Sequence, residues 1–474
     1  MSQFPGLVGS SYQAQFPIED VERTVNWFVE NIESGEGKSR QALLPTPGTT
    51  LFGMMAATGH RGAFSLAQRA FSVVGSNFTE VFIDGTSVVR GTVSSNGQPV
   101  SMAANGVGEI CIISNQSGYI YNALTNTFNQ ITADGFIGAN QVVSVDGYFI
   151  CAKPNSNTFF ISGLDNGLSW DALDFANTEG EAGNIVSIIA NFREIWLLCE
   201  THTEVYYDSG DPDFPFARTG GGFLEKGSGA VFSPAALDNS IFWLYQEQAG
   251  GRMVMRSNGY QPVRVSDHAV EWAMSQYATV ADAVSWTYQY SGHSFYVLCF
   301  PTAGATWVYD VSTSKWHERA AFTGGVYIRY KPATHMHCFG KHLVGDYSSG
   351  KLFSLDPNVY TDDGNPLVRT RIAPHLGNEL NRNFYDELEL DCQVGMGLPS
   401  GQGSDPKIIL QVSRDGGKTF GNEQPRGLGK MGQFRARVVW RRLGYARDLV
   451  FKLVMTDPVP VAIVNAYLRV RNGN

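Results

Sequence analysis

One strand motif recurs seven times along this 474-residue chain and limits what it can fold into. TEVYYD (Thr203 to Asp208) has counterparts in TEVFID (79–84), GYIYN (118–122), NTFFIS (157–162), RMVMRS (252–257), TWVYD (306–310) and KLFSLD (351–356). With Val81, Ile120, Phe159, Val205, Val254, Val308 and Phe353 taken as equivalent, the spacings are 39, 39, 46, 49, 54 and 45 residues. A unit of this size cannot bury its apolar face alone. Neighbouring units must stack, and a period of about 40 to 50 residues predicts propeller blades.

Each unit is expected to hold an inner apolar run, a turn and the cadence strand, as in GEICIIS with GYIYN or EIWLLCE with TEVYYD. A further strand follows, such as NTFNQI (126–131) or SKWHERA (314–320). Runs like EIWLLCE are too continuously apolar for a sheet with one wet face, which predicts burial between stacked blades. With 17% charged residues, 12% aromatics and 52 glycines, the composition favours short strands and tight turns over long solvated helices. The expected class is all-β: a β-propeller over 63–375, with seven blades favoured and six possible, because the copy at 63–95 has a weak inner strand and 321–375 carries a long insertion.

Residues 1–62 stand outside the cadence and are expected to form an N-terminal arm with a closing strand. EDVERTVNWFVENIESGEGK reads as a short helical or extended amphipathic stretch. RQALLPTPGTTLFG (40–53) reads as extended, because each proline pushes its predecessor out of the helical region. SDHAVEWAMSQ (266–276) is the clear helix, capped by Ser266 or Asp267 and inserted between the fifth and sixth blades. After 376 the cadence stops, and YDELELDCQVG, PKIILQVSRD, FRARVVWRR, RDLVFKLVM and AIVNAYLRVR predict a small C-terminal β-sandwich or barrel (376–474). In FRARVVWRR, Phe434, Ala436, Val438 and Trp440 are expected on one face, opposite Arg435, Arg437, Val439 and Arg441.

No run of eighteen apolar residues occurs and the first residues lack a basic segment followed by an apolar core, so a soluble, unexported chain without a membrane anchor is expected. The six cysteines lie singly in apolar runs, five of them in the inner strands, and read as free buried thiols. The net charge of −9 is uneven: 369–474 holds 16 basic and 10 acidic residues, leaving 19 and 34 in 1–368. An acidic body with a basic C-terminal domain points to different partners for the two.

SRDGGKTF (413–420) matches an Asp-box, in which Ser413, Asp415, Gly417, Thr419 and Phe420 stabilise a tight hairpin turn; SGLDNGLSW (162–170) is a looser relative. Asp-boxes accompany sialidase-like propellers, but those require converging arginines, which are sparse in the propeller half. His335, His337 and His342 could approach a metal but lack a fourth ligand at suitable spacing. Asp208, Asp211 and Asp213 read as a solvated turn rather than a calcium loop, and KGSGA (226–230) is not a nucleophile elbow. No catalytic residue, metal site or cofactor is assigned. Arg435, Arg437, Arg441, Arg442 and Arg447 form the densest basic cluster, read as a solvated β face or, alternatively, a surface for an acidic protein partner. Aromatic interleaving, which a grip on DNA would favour, is not expected on that face.

NWFVE (26–30), the PTPG turn (45–48), the cadence and the block from Ser413 to Ile463 together resemble the packaged-DNA stabilisation proteins, or tail hubs, of short-tailed bacteriophages. The resemblance spans nearly the whole chain. It implies a structural virion protein of the tail, assembled in the host cytoplasm, with no enzymatic activity. It also implies a ring of six copies below the portal and its adaptor, continuing the channel for double-stranded DNA without sequence-specific binding, and carrying tailspikes or fibres and a needle or plug. The acidic propeller is expected to line that channel and repel phosphates. The alternative is a carbohydrate-binding or sialidase-like propeller.

Overall fold

The computed structural model describes residues 1–34, 38–377 and 380–473. Seven four-stranded antiparallel meanders span 60–92, 101–130, 142–177, 185–224, 235–264, 284–318 and 332–356, the last completed by Gly48–Met54. They are numbered here as blades one to seven. Apolar clusters fill each gap between neighbours, including the gap between blades seven and one, where Met336, Leu343 and Leu352 meet Ala70, Val74 and Val81. The circle is therefore closed. Each fully buried aliphatic residue, such as Leu197 between blades three and four, contributes about 1.5–3 kcal/mol.

The first strand of each meander lies innermost. His60–Leu66, Ser101–Ala104 and Val142–Val145 neighbour one another in this way, and Val142 donates its amide to Ser101 Oγ of the adjacent blade at 3.0 Å. The unit expected from sequence missed this strand: the apolar run taken as innermost is second, and four cysteines (Cys111, Cys151, Cys199, Cys299) sit there, whereas Cys338 is in the innermost strand Pro332–Cys338. Segments such as SMAA, VVSV and AAL are too short and small to signal a strand by pattern. Their turns do leave a signature, since Ala67–Gln68, Asp146–Gly147, Asp238–Asn239, Ser291–Gly292 and Phe339–Gly340 all have φ between 47° and 92°. Two consecutive positive φ values make the hairpin turn that matches strand twist.

The N-terminal residues are distributed among the other units. Val21–Val25 and Trp27–Asn31 are strands, so the stretch read as helical or extended is extended; the end of its Gly-containing loop, 35–37, lies outside the described residues. Gly48–Met54 pairs antiparallel with Lys351–Asp356 as the outermost strand of blade seven. Gly48 must be glycine there, because an added Cβ would lie 2.4 Å from the carbonyls of Val359 and Thr361. The helix His268–Ser275 lies between blades five and six, with Asp267 Oδ1 accepting from the Val270 amide at 2.9 Å. Among the described residues no helix is long and apolar enough to cross a membrane.

The C-terminal sandwich has one sheet ordered Trp27–Asn31, Gln41–Pro45, Ile463–Asn472, Asn383–Cys392, Val438–Ala446. The facing layer contains Arg369–Ile372, Asp448–Met455, Lys407–Ser413 and Gln424–Gly427, and between them lies a core including Trp27, Trp440, Leu410 and Phe451. Val21–Val25 joins this layer to blade six, pairing with Arg369–Ile372 on one side and, through Val25, with Glu318 on the other. One continuous sheet thus runs from propeller into sandwich.

Candidate functional site

The seam between the two domains is built from buried polar groups. Arg371 is fully buried and donates to the carbonyls of Gly6, Leu7 and Ser10, to Thr24 Oγ1 and, at 2.6 Å, to Glu22. Burial lowers its pKa, and burial likewise raises that of Glu22 against the opposing attraction of Arg371. Asn26, at φ 56°, donates to the carbonyls of Ala320 and Val368 and so holds the entry of the sandwich to the exit of blade six. His293 lies 2.7 Å from Asp310 and 2.7 Å from Glu30. Burial pushes this imidazole down, but the hydrogen bonds to Asp310 and Glu30 outweigh it and raise its pKa to about 9. These contacts fix how the sandwich is presented. They leave two exposed surfaces as candidates for partners.

The first is the side of the propeller that carries the turns joining first to second and third to fourth strands. In a meander these turns lie on one side: an added Cβ on Gly147 would lie 2.8 Å from Leu164, and one on Gly108 would lie 3.5 Å from Leu124. Across blades two to four this side exposes Leu124, Leu164, Leu173 and Phe192. It is also acidic. The turns of blades three and four on this side carry Asp146, Asp165, Asp171, Asp174, Asp211 and Asp213, and their one basic residue, Arg193, is paired with Asp146. Asp174 is raised by burial and then by Asp171, while Tyr148 is raised by burial and then by Asp208 and Asp174, which places acids of blades three and four around one ring. Asp208 and Asp211 accept the amides of Gly210 and Asp213, the solvated turn expected for that stretch.

The innermost strands carry no carboxylate among the described residues; their basic groups are His60, Arg61, His335 and His337. The innermost strands therefore contribute no negative charge to the propeller's own axis. Gln141, just before the innermost strand of blade three, bonds Ser187 of blade four and the Val231 carbonyl ahead of blade five, which ties three neighbouring blades together.

The second surface is the outward face of the sandwich sheet. Arg437 pairs with Glu389 at 2.7 Å and Arg441 with Glu387 at 3.0 Å, so neither is a free charge. Arg435, Arg442 and Arg447 are exposed. The alternation expected for FRARVVWRR holds only in part: the strand begins at Val438, Phe434 is 69% exposed in a turn, and Arg442 at φ 59° makes Arg441 and Arg442 both face water. Aromatic interleaving is present after all. Phe384 and Tyr445 are cross-strand partners with ring centroids 5.8 Å apart, flanked by Arg471 at 5.7 Å and Arg382 at 4.9 Å. Sequence reading missed this patch because Arg382, Phe384, Tyr445 and Arg471 come from three segments far apart in the chain.

The remaining candidates are structural. Ser413 Oγ donates to Asp415, Asp415 accepts from the Thr419 amide and hydroxyl, and the Gly417 amide donates back to Ser413, while Phe420 lies under Lys452. Hydrogen bonds from Ser413 and Thr419 hold the Asp415 carboxyl well below the usual range. In SGLDNGLSW the indole of Trp170 donates to the Gly167 carbonyl. His335 and His342 face each other at 3.0 Å, and burial, with the neighbouring histidines, lowers His335 to about 3. Among the described residues no group of three or more His, Cys, Asp or Glu side chains is arranged to hold a metal. In TEVYYD, the buried Glu204 accepts from the Gly180 amide and Tyr206 hydroxyl and lies 3.3 Å from His202. Burial pushes this carboxyl up, but hydrogen bonds from His202, Gly180, Glu179 and Tyr206 prevail and hold it near 2.

Among solved structures, the chain is similar to the N-terminal domain of Nup159 (8% identity, 70% of this chain and 98% of that one, TM-score 0.42). It is likewise similar to virginiamycin B lyase from Staphylococcus aureus (9%, 65% and 98%, 0.42) and to YCF48 from Cyanidioschyzon merolae (11%, 65% and 99%, 0.43). No curated protein matches the sequence. A family described as bacteriophage P22 Gp10, beta-propeller, matches residues 23–360, and one described as bacteriophage P22 Gp10, beta-sandwich, matches 369–471. The two matches follow each other in the order of the propeller and sandwich seen here, and the chain belongs to the bacteriophage P22 Gp10 family of short-tailed phage tail-hub and DNA-stabilisation proteins.

Proposed function

We propose that this structural protein of the phage tail acts as a ring-shaped hub below the portal and its adaptor. The observation that carries the reading is the family match over both domains, in a molecule whose propeller and sandwich are welded through one sheet. A welded pair of domains transmits load without flexing and presents many turns to several partners at once. On this reading the ring continues the channel for packaged double-stranded DNA, touches it without reading sequence, and carries tailspikes or fibres outside and a needle or plug below. The molecule works in the virion after assembly in the host cytoplasm, by shape and not by turnover. The exposed Arg435 and Arg447 then offer a docking edge to an acidic adaptor surface, with Arg437 and Arg441 held in place by their glutamates.

The test is electron microscopy of the purified protein mixed with portal and adaptor. A ring seated on the adaptor, coaxial with the portal, is expected; a protein that stays unbound and monomeric overturns the hub. The carbohydrate-cleaving alternative predicts clustered arginines in a central pocket. The buried arginines Arg61, Arg319, Arg369 and Arg371 are instead engaged separately with backbone carbonyls, so no observation favours it.

A further inference from the structure

We propose that the arginine–aromatic patch of the sandwich docks onto the acidic turn side of blades three and four of a second copy of this chain. This deepens the ring reading and rests on it.

The patch has the composition of a protein interface. Phe384 is 38% and Tyr445 53% exposed, an apolar surface that Arg382 and Arg471 cover only by stacking on it. Arginine and aromatic residues are the types that carry binding energy at interface centres. Arg471 is paired with Asp386, whereas Arg442 and Arg469 have no ion-pair partner among the described residues. With 16 basic against 10 acidic residues in 369–474, the domain as a whole attracts an acidic partner.

The complement lies on the same chain and out of its reach. The turns of blades three and four hold Asp146, Asp165, Asp171, Asp174, Asp211 and Asp213 against Arg193 alone, beside Leu164, Leu173 and Phe192, which are 58%, 82% and 76% exposed. Positive charge with aromatic rings on one surface thus meets negative charge with apolar tips on the other. The sandwich is seamed to blade six through Val21–Val25, and its first sheet continues into the strand that closes blade seven. In a circle of seven, blade three lies directly across from the boundary of blades six and seven. One chain cannot satisfy its own pair. A second copy can, and because the two surfaces differ, the contact is head-to-tail and leaves a free patch at one end and a free acidic side at the other. Repetition of such a contact closes a ring when the rotation allows it.

The experiment measures self-association by light scattering and negative-stain microscopy at low and raised salt. The variants are Arg442→Glu with Arg469→Glu, Asp171→Lys with Asp213→Lys, and all four together. These side chains are exposed, and circular dichroism and melting temperature check that each variant folds. The wild type is expected to form oligomers that weaken as salt rises. Each two-residue reversal is expected to weaken association by about tenfold or more, and the fourfold reversal to restore it. A wild type that oligomerises equally well in all variants overturns this interface while leaving the hub intact. A wild type that remains monomeric at every soluble concentration overturns the docking itself; the hub is then judged on the portal–adaptor complex.

Discussion

His293 of blade six donates Nε2–H to Glu30 of the N-terminal strand Trp27–Asn31 at 2.7 Å, across the line where propeller meets sandwich. Its other nitrogen is held by Asp310, and the ring is nearly fully buried against Phe28 and Phe295. A charged imidazole between two carboxylates therefore fastens the two domains.

That relationship makes the seam pH-dependent. The folded pKa, about 9, exceeds the ordinary histidine value of 6.5, so the contribution is complete below about 6.5 and is lost as pH rises toward 9. His293→Gln should lower stability by on the order of 3 kcal/mol at pH 6, as expected for breaking one side of a buried pair, and by less at pH 9.5. Thermal melts of both proteins at the two pH values check this; parallel losses at both would contradict it.

Glu204 carries the opposite sign. Its folded pKa, near 2, lies below the ordinary 4.5, so its stabilisation is present above about 4.5 and is lost as pH falls toward 2. Glu204→Gln should cost about 1–3 kcal/mol at pH 7, with the gap to wild type closing between pH 5 and 3. Hydrogen exchange should speed up at Glu179 and Gly180, whose amides Glu204 accepts.

Arg371→Lys should not preserve the seam, because a lysine cannot present the fork that reaches Gly6, Leu7, Ser10, Thr24 and Glu22 together. A loss of about 3–5 kcal/mol in urea unfolding is expected. Limited proteolysis should cut first within residues 1–20. Unchanged protection of that segment would show that other contacts hold it.

The two neighbouring arginines of the C-terminal strand should behave differently. Arg441→Glu places a carboxylate beside Glu387 and should lower the melting temperature of the protein alone. Arg442→Glu meets no such neighbour and should leave melting unchanged while weakening association with another copy, with the difference from wild type largest at low salt. Equal melting losses would mean that Arg442 is also needed for folding.

Asp415→Ala should accelerate exchange of the Thr419 amide with little change in global melting, because the Asp-box closes an exposed turn and little else. A large drop in melting temperature would show that the turn supports the sandwich core.

Local chemistry alone determined the cadence strands, the helix capped by Asp267, the Asp-box turn and the extended segment before Met54, because each rests on alternation, capping or turn residues within a few positions. The innermost strands stayed hidden because SMAA and AAL gain strand character only from the neighbours that flank them around the closed circle. Tertiary structure also decided which arginines are free and where rings join them. Phe384 meets Tyr445 only through cross-strand register, and that register shifts between Tyr385 and Glu387, beside the left-handed residue Arg442. A shift of one residue moves side chains to the opposite face of a strand. The composition of the basic domain was therefore legible in the sequence, whereas the surface it presents was set by packing between segments far apart in the chain.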